Sequence, residues 1–294
     1  MSDSGCTVAI GNELLFACNY LFSVFNVQGG FVAGSEDIFM YDVEAEVFSA
    51  NTYSFGYPKN AMGCQAIGTQ AWFGGGIRVN AQKNAFQMVD DIDQLDIVLP
   101  TEQTPVSTHT WHYAKYKLSR GRMYVKSAQA ASLIAFGGGF DYVTGDVLAN
   151  FDVLDPVVKV VNTTHLPTGR YFHAMAGVGP LILVAGGVSS FGFVRDVDIY
   201  DTRYRNFTSL VGTQGLSFPR ALLTAAATAT KAYFAGGFGD GGVRAEVDMF
   251  DLDTMSMTVM QPLTEPRHSL IGAQSGPGET SYSVEVDDAM VLNH

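Results

Sequence analysis

The chain has few of the residues that dominate nucleic-acid-binding proteins. Only 17 of its 294 residues are Lys or Arg, against 29 Asp or Glu, so the net charge is -12. A surface of that sign repels nucleic-acid phosphates and anionic lipid headgroups, and we expect no nucleic-acid partner. Charged residues reach only 16%, whereas glycine numbers 32 residues and apolar residues make up 47%. That composition is typical of a globular protein of short buried strands and predicts an all-β fold.

Cysteine is equally scarce. The three cysteines, Cys6, Cys18 and Cys64, have none of the CxxC or CxxCH spacings of metal, redox or haem sites. Their odd number argues against a disulfide scaffold. Cys18 and Cys64 fall at a position of the repeat described below where other copies have mostly small residues, which predicts core packing. We expect no cofactor.

Long hydrophobic runs are limited to one uncharged stretch, residues 14–35, which is long enough to cross a bilayer. It contains Asn19 and Asn26, and no Lys or Arg flanks it, so we predict two strands and no membrane insertion. The N-terminus lacks the basic segment of a signal peptide, which favours a cytoplasmic location. Sequons at Asn162 and Asn206 leave an extracellular location open.

What the chain does contain is an internal repeat. Apolar runs end in a glycine pair, a hydrophobic residue followed by Asp comes 13 to 15 residues later, and a basic residue stands 16 residues before most of the pairs. The glycine pairs are Gly29 and Gly30, Gly75 and Gly76, Gly138 and Gly139, Gly186 and Gly187, and Gly236 and Gly237. The aspartates are Asp42, Asp90, Asp152, Asp201 and Asp251. The basic residues are Lys59, Arg122, Arg170, Arg220 and Arg267, with Glu13 in the first copy.

The spacing of the basic residues gives the length of the repeat. Arg170 and Arg220 are 50 residues apart, and Arg220 and Arg267 are 47 apart. A period near 50 with four short strands is typical of one blade of a β-propeller. The last copy is partial, because Ser283 and Val284 stand where its glycine pair would fall.

The chain resembles the kelch-repeat family over nearly its whole length. The features that carry this resemblance are the basic residue, the glycine pair, the aromatic-Asp pair and a bulky residue on the fourth strand. Phe48, Phe207 and Met257 replace the tryptophan that is usual on the fourth strand. The resemblance implies a six-bladed kelch-type β-propeller whose last blade is completed by an N-terminal strand, in a single domain of residues 1–294. The predicted repeats are 11–52, 53–99, 118–165, 166–215, 216–262 and 263–294 plus 1–10, with an insertion at 100–117.

Each repeated residue has an expected structural role. Glycine permits close backbone approach and a turn with positive φ. The hydrophobic residue before Asp should fill the layer between blades, and the Asp should cap the turn after its strand. We expect the basic residue to pair with main-chain carbonyls or with an acidic neighbour in the next blade.

By resemblance, a kelch propeller recognises another protein or peptide at one mouth of its ring. The residues directly after the glycine pairs are Phe31, Ile77, Phe140, Val188 and Phe238, and those two places after the basic residues include Tyr124, Phe172, Leu222 and Ser269. An apolar, aromatic mouth favours an extended apolar or aromatic peptide. The alternative, that these side chains only fill the channel, stays open.

The insertion is rich in aromatic residues, and long loops on rigid scaffolds tend to carry function, so we predict that Trp111 contacts a partner. His109 and His112 in the same segment resemble half of a zinc site, but no third ligand is nearby, and a solvated loop is our interpretation.

Residues 236–242, GGFGDGG, approximate a phosphate-binding loop, yet the strand pattern after them predicts a turn between two strands.

No catalytic arrangement stands out in the sequence. We therefore predict a non-enzymatic protein-interaction module or scaffold that uses one propeller face. The alternative is an epimerase-like or oxidase-like enzyme that binds a small molecule or carbohydrate in the central channel.

Overall fold

The computed structural model describes residues 6–10, 13–17, 37–42, 47–48, 53–55, 59–80, 85–98, 108–269, 271–273, 282–286 and 290–292. Within these ranges the regular structure is β-strand throughout, apart from one 3-10 turn at Gly212–Gln214. The all-β prediction is confirmed. No helix in the described ranges has the length and apolar character that a membrane crossing requires.

Antiparallel sheets follow one another along the chain. The first sheet consists of β1 (Cys6–Ile10), β2 (Glu13–Ala17), β3 (Asp37–Asp42) and β4 (Val47–Phe48), with β5 (Tyr53–Ser54) also paired to β3. The second consists of β6 (Gly63–Ile67), β7 (Gln70–Gly74), β10 (Asp91–Val98) and β11 (Thr108–Lys117), with a hairpin of β8 (Ile77–Asn80) and β9 (Ala85–Met88) between β7 and β10.

The next three sheets repeat this order. The third consists of β12 (Lys126–Ala130), β13 (Leu133–Gly137), β16 (Asn150–Asp155) and β17 (Val160–His165), with the hairpin β14 (Phe140–Asp141) and β15 (Asp146–Val147). The fourth consists of β18 (Ala174–Val178), β19 (Leu181–Ala185), β22 (Val197–Asp201) and β23 (Asn206–Leu210), with the hairpin β20 (Val188–Ser189) and β21 (Gly192–Phe193). The fifth consists of β24 (Thr224–Ala227), β25 (Lys231–Ala235), β28 (Val247–Asp251) and β29 (Ser256–Val259), with the hairpin β26 (Phe238–Gly239) and β27 (Gly242–Val243).

The sixth sheet has three strands in the described ranges, namely β30 (Ile271–Ala273), β31 (Tyr282–Val286) and β32 (Met290–Leu292). The first strands of the six sheets contact one another in sequence. β1 contacts β6, β6 contacts β12, β12 contacts β18, β18 contacts β24, and β24 contacts β30. β30 in turn contacts β1.

The core lies between neighbouring sheets. The second strands β13 and β19 are apolar and buried along their length, whereas the outer strand β23 consists of exposed and half-buried residues. Successive residues of a strand point to opposite faces, so this alternation directs one face towards a neighbouring sheet. Phe151 of the third sheet accordingly packs on Tyr200 of the fourth, with ring centroids 5.1 Å apart. Tyr200 precedes a repeated Asp and fills the layer between the two sheets, as expected.

The second glycine of a pair joins its sheet to the next one. The Gly139 N–H donates to the carbonyl of Arg170 at 2.9 Å. Gly138 has a φ of 59°, and an added Cβ there would lie 2.4 Å from the same carbonyl oxygen, so only glycine fits without displacement. The equivalent bonds run from Gly76 to Arg122, from Gly187 to Arg220 and from Gly237 to Arg267.

The basic residue is buried beneath this junction. Arg122 Nε donates to the Gly138 carbonyl at 2.7 Å, and Nη2 forms an ion pair with Asp152 at 2.8 Å. Burial lowers the pKa of the Arg122 guanidinium, and the charge of Asp152 opposes that change. The bonds to carbonyls agree with expectation, whereas the acidic partner lies on the third strand of the same sheet. The equivalent pairs are Lys59 with Asp93, Arg170 with Asp198 and Arg220 with Asp248.

The repeated aspartates occupy more than one structural position. Asp201 and Asp251 end their strands and accept turn N–H groups, as expected of caps, whereas Asp152 lies in the buried ion pair. Asp90 precedes β10 and pairs with Lys117 at 2.8 Å. Treating these residues as one turn-capping position is therefore wrong. The tip of the β14–β15 hairpin, residues 142–145, is longer than the tip at 190–191, so a fixed count from the glycines reaches different strand positions.

The N-terminal strand does not complete the last sheet, and that prediction is wrong. β1 pairs with β2, with Val8 opposite Leu15. Only Gly11 and Asn12 separate the two strands, and a connection of that length favours an antiparallel hairpin over pairing with a distant sheet. β1 is thus the first strand of the first sheet.

The predicted insertion is largely a strand. Thr108–Lys117 forms β11, and residues 100–107 of the insertion lie outside the described residues. Trp111 stands opposite Leu95, at the place in the register that Phe207 occupies opposite Tyr200. The tryptophan that we expected to be replaced is therefore present on the fourth strand of the second sheet.

A disulfide joins Cys6 of β1 to Cys64 of β6, across 58 residues of sequence. The odd number of cysteines led us to expect no disulfide scaffold, and this bond corrects that expectation. Both cysteines are buried, and Cys64 belongs to the core of the first two sheets as predicted. Cys18, Phe31 and the first glycine pair lie outside the described residues.

Candidate recognition surface

The residues after each glycine pair and after each basic residue meet at one rim of the sheets. Phe140 and Met123 exchange backbone hydrogen bonds of 2.8 Å and 2.9 Å. The same bridge joins Asn60 to Ile77, Tyr171 to Val188 and Ala221 to Phe238. We call this surface the hairpin face, and define it as the hairpins β8–β9, β14–β15, β20–β21 and β26–β27 with the residues one and two places after each basic residue.

The backbone of the hairpin face has an unusual recurring conformation. The residue two places after each basic residue has a positive φ of 55° to 58°, although none is glycine. These residues are Ala61, Tyr124, Phe172, Leu222 and Ser269. Such a conformation is uncommon for bulky side chains and persists only where surrounding contacts hold it. Here the Tyr124 N–H donates to the Ala61 carbonyl at 2.8 Å, and the Leu222 N–H donates to Phe172 at 2.8 Å.

Four aromatic side chains converge on this backbone. The ring centroid of Phe172 lies 4.3 Å from Tyr124 and 4.7 Å from Tyr171. Phe140 lies 5.2 Å from Tyr171, so the third and fourth sheets contribute to one cluster. All four side chains are half-buried, which leaves part of each ring open to a ligand. We call these four residues the aromatic cluster.

Further aromatic pairs extend the surface in both directions. Phe86 of β9 packs edge-on against Tyr142 at 5.3 Å, which links the second and third repeats. Phe238 lies 6.1 Å from Phe193 and 6.1 Å from His268, which links the fourth, fifth and sixth repeats. The hairpin face is therefore continuous across five repeats.

The hairpin tips project large apolar side chains. Phe191 at the tip of β20–β21 is 97% exposed, and Tyr142 and Val143 at the tip of β14–β15 are 57% and 69% exposed. Phe238 is 39% exposed. Isolated exposed apolar residues need no explanation, but several exposed apolar side chains on one face make the hairpin face a candidate interaction surface.

The charged groups next to these tips form local ion pairs. Arg120 binds both Asp141 and Asp146 at 2.7 Å, and the hydrogen bond from Arg120 lowers the pKa of Asp146. Arg244 pairs with Glu246 at 3.5 Å and covers the ring of Phe218 at 4.6 Å. Because these charges already have partners, the exposed apolar side chains are the more distinctive feature of the hairpin face.

One ionisable residue is enclosed behind the aromatic cluster. His173, next to Phe172, is fully buried where the equivalent residues of other repeats are Met62, Val125 and Leu223. Burial lowers the pKa of His173 well below its usual value, and the nearby charges of Arg170, Lys126 and Arg122 lower it further. His173 is therefore uncharged at neutral pH.

The structure places most of the predicted contact residues on the hairpin face. Tyr124, Phe140 and Phe172 share the aromatic cluster, and Phe238 lies in the second group of rings. Ile77 and Val188 occupy the equivalent bridge positions. The predicted turn in GGFGDGG is confirmed as the hairpin β26–β27.

Trp111 does not lie on the hairpin face, so its predicted setting in a loop is wrong. Its half-buried ring packs against Phe55 at 5.3 Å and Phe73 at 5.8 Å, and stacks on Tyr113 at 5.6 Å. His112, on the same strand, lies within hydrogen-bond distance of Asp96, with Nε2 and Oδ2 2.9 Å apart. In the part of the chain that the structure describes, no group of three or more His, Cys, Asp or Glu side chains is arranged to hold a metal ion.

Sequence reasoning missed Tyr171 and the hairpin tips. Tyr171 directly follows a basic residue, and its ring contact with Phe140 joins residues 31 positions apart. The tips at Tyr142 and Phe191 were not among the predicted contact residues. Their signal was an aromatic residue inside a short polar or glycine-containing turn, which is unusual in a solvent-exposed connection.

Comparison with known proteins identifies no relative for this surface. No family model matches the chain, and no curated protein matches it.

Proposed function

We propose that the chain is a six-bladed, kelch-type β-propeller in a single domain, and that its hairpin face binds another protein. Support for a closed ring comes from the successive contacts of the six innermost strands, from β1 through β30 and back to β1. The recurring glycine pairs and buried basic residues support the kelch assignment. The first repeat then begins with β1, so each blade runs from its inner to its outer strand.

The exposure of the hairpin tips is the observation that carries the function. Phe191 is 97% exposed and Tyr142 is 57% exposed, at the ends of short hairpins fixed to the sheets. Full burial of such side chains contributes roughly 1.5–3 kcal/mol each, and aromatic anchors commonly dominate protein interfaces. These residues are the expected anchors.

The partner is a protein segment with apolar or aromatic side chains. The aromatic cluster offers half-buried rings between the projecting tips, and neighbouring charges such as Arg120 already bind carboxylates. A strongly acidic ligand would have to compete with Asp141 and Asp146 for that guanidinium. An extended apolar segment meets no such competition.

The test compares two double variants with the wild type. Tyr142→Ala with Phe191→Ala removes two hairpin tips. Tyr204→Ala with Val157→Ala is the matched control, because these residues are 73% and 76% exposed in turns at the opposite end of the sheets. Proteins captured from native lysate are identified by mass spectrometry, and their binding to each purified variant is then titrated.

We expect the hairpin-tip variant to bind at least about tenfold more weakly, which corresponds to about 1.4 kcal/mol, and the control to bind like the wild type. Circular dichroism and thermal unfolding establish that all three proteins fold alike. Equal binding by the wild type and the hairpin-tip variant would reject the hairpin face as the recognition surface.

A further inference from the structure

Two sequons occupy the outermost strands of neighbouring sheets. Asn162, in Asn-Thr-Thr, lies on β17, and Asn206, in Asn-Phe-Thr, begins β23. Both asparagines are exposed. The intervening residue of each sequon makes a contact within the fold, since Thr163 donates its hydroxyl to Asp152 at 2.6 Å and Phe207 packs on Phe151 at 5.0 Å. Strand alternation therefore directs both asparagines away from these two contacts.

The register of the two strands places the sequons on the same face. Thr163 stands opposite Asp152, and Ser209 stands opposite the equivalent Asp198. In this alignment Asn162 corresponds to Thr208. Asn206 lies two residues before Thr208, so its side chain is on the same face of the strand. β17 and β23 are the last strands of their sheets, so one edge of each faces outwards. A bulky polar group at these positions would cover an edge that could otherwise pair with another chain.

The disulfide is an independent observation about the environment of the protein. Cys6 and Cys64 are joined between the first two sheets, far along the chain from both sequons. Such bonds form and persist in the endoplasmic reticulum and outside the cell, and are rare in the cytosol. In forming this bond the two thiols give two electrons and two protons to another disulfide, which is reduced to a dithiol.

We infer that Asn162 and Asn206 carry N-linked glycans, and that the chain matures in the oxidising secretory compartment. The donor is an oligosaccharide linked to a lipid diphosphate. The amide Nδ2 of each asparagine forms a bond to the first sugar's anomeric carbon, the bond from that carbon to the diphosphate oxygen breaks, and the diphosphate leaves with the electron pair. The amide proton passes to a base of the transferring enzyme. This inference does not depend on the proposed recognition function.

The test uses the protein isolated from the cells that make it. Treatment with peptide-N-glycosidase in heavy-oxygen water converts each glycosylated asparagine into a labelled aspartate, which peptide mass spectrometry locates. Asn150, exposed in part but followed by Phe151 and Asp152, has no sequon and controls for spontaneous deamidation. A non-reducing digest in the same experiment reports whether the Cys6 and Cys64 peptides are linked.

We expect label at Asn162 and Asn206 but not at Asn150, and a linked cysteine peptide. Recovery of either asparagine wholly unlabelled overturns its assignment, and free thiols at both cysteines overturn the secretory origin. Variants expressed in the same cells distinguish the effect of losing the sequon from the effect of disturbing the fold. Thr164→Ala and Thr208→Ala should each abolish label at one asparagine, whereas Thr164→Ser and Thr208→Ser should retain it.

Discussion

The rings of Tyr124 and Phe172 lie 4.3 Å apart although the two residues belong to successive repeats and both have a positive φ. Each residue follows a buried arginine by two places, so the ion pair below and the ring contact above belong to the same short segment. A substitution in this segment can therefore affect both the stability of the fold and the shape of the hairpin face. Stability and recognition consequently need separate tests.

Removing the acid from a buried ion pair should destabilise the fold strongly. Asp152→Ala leaves Arg122 buried without its carboxylate, and the expected loss in the free energy of unfolding is about 3–5 kcal/mol. Asp253→Ala, in an exposed turn, is the control and should change it by less than about 0.5 kcal/mol. Urea denaturation measures both. Similar values for the two variants would mean that the ion pair does not stabilise the fold.

Two glycines with positive φ allow the cost of backbone strain to be measured apart from the cost of a steric clash. Gly145 has a φ of 78° with nothing near its missing Cβ, so Gly145→Ala should cost about 1–2 kcal/mol of unfolding free energy. Gly138→Ala adds a clash with the Arg170 carbonyl, and should cost about 1–3 kcal/mol more. Thermal or urea unfolding gives the difference. Equal costs would contradict the tight junction between the third and fourth sheets.

His173 should make the fold sensitive to mild acid. Its pKa in the folded state is lowered, so below a pH of about 6.5 the unfolded chain binds a proton that the folded chain does not. The free energy of unfolding should then fall by up to about 1.4 kcal/mol per pH unit as the pH decreases through this range. His173→Leu, which copies Leu223 of the next repeat, should remove that dependence.

The measurement for His173 is urea unfolding at several pH values between about 7 and about 5. His165→Gln, on an exposed position of β17, is the control and should keep the slope of the wild type. An unchanged slope in His173→Leu would show that other groups cause the acid sensitivity.

Trp111 should matter for stability and not for recognition. Trp111→Ala removes a half-buried ring that contacts Phe55 and Phe73, and we expect a loss of about 2–4 kcal/mol in unfolding free energy. Tyr113→Ala, whose side chain is 50% exposed, should cost less. Partner titration at a temperature where both variants are folded should give the affinity of the wild type. Weaker binding by Trp111→Ala alone would restore its predicted role in partner contact.

The repeat could be read from the sequence because its main signals are local. Gly138 and Gly139, and Arg122 before them, stand at fixed distances set by two strands and the turn between them, and the structure uses each as the pattern predicts. The aspartates were harder to align, since the hairpin between Gly139 and Asp152 differs in length from its equivalents. A count along the chain cannot distinguish a longer hairpin tip from a shifted strand.

The candidate site was predictable only in part. The positions of Tyr124, Phe140 and Phe172 follow from the repeat, but the contacts of Tyr124 and Phe140 with Tyr171 join residues of different repeats. Trp111 was predicted to lie in a loop because the extra residues before β11 obscured the alignment of that strand with the other fourth strands. The disulfide was missed because it depends on β1 lying beside β6, which no local spacing encodes.

The bonds that join successive repeats at the rim are made by main-chain atoms, such as the Tyr124 N–H and the Ala61 carbonyl. The five residues with positive φ consequently share one backbone shape while carrying an alanine, a tyrosine, a phenylalanine, a leucine and a serine. Side-chain identity there is free to vary without altering the framework. The protein thus combines a constant main-chain framework with a rim whose side-chain chemistry differs from one repeat to the next.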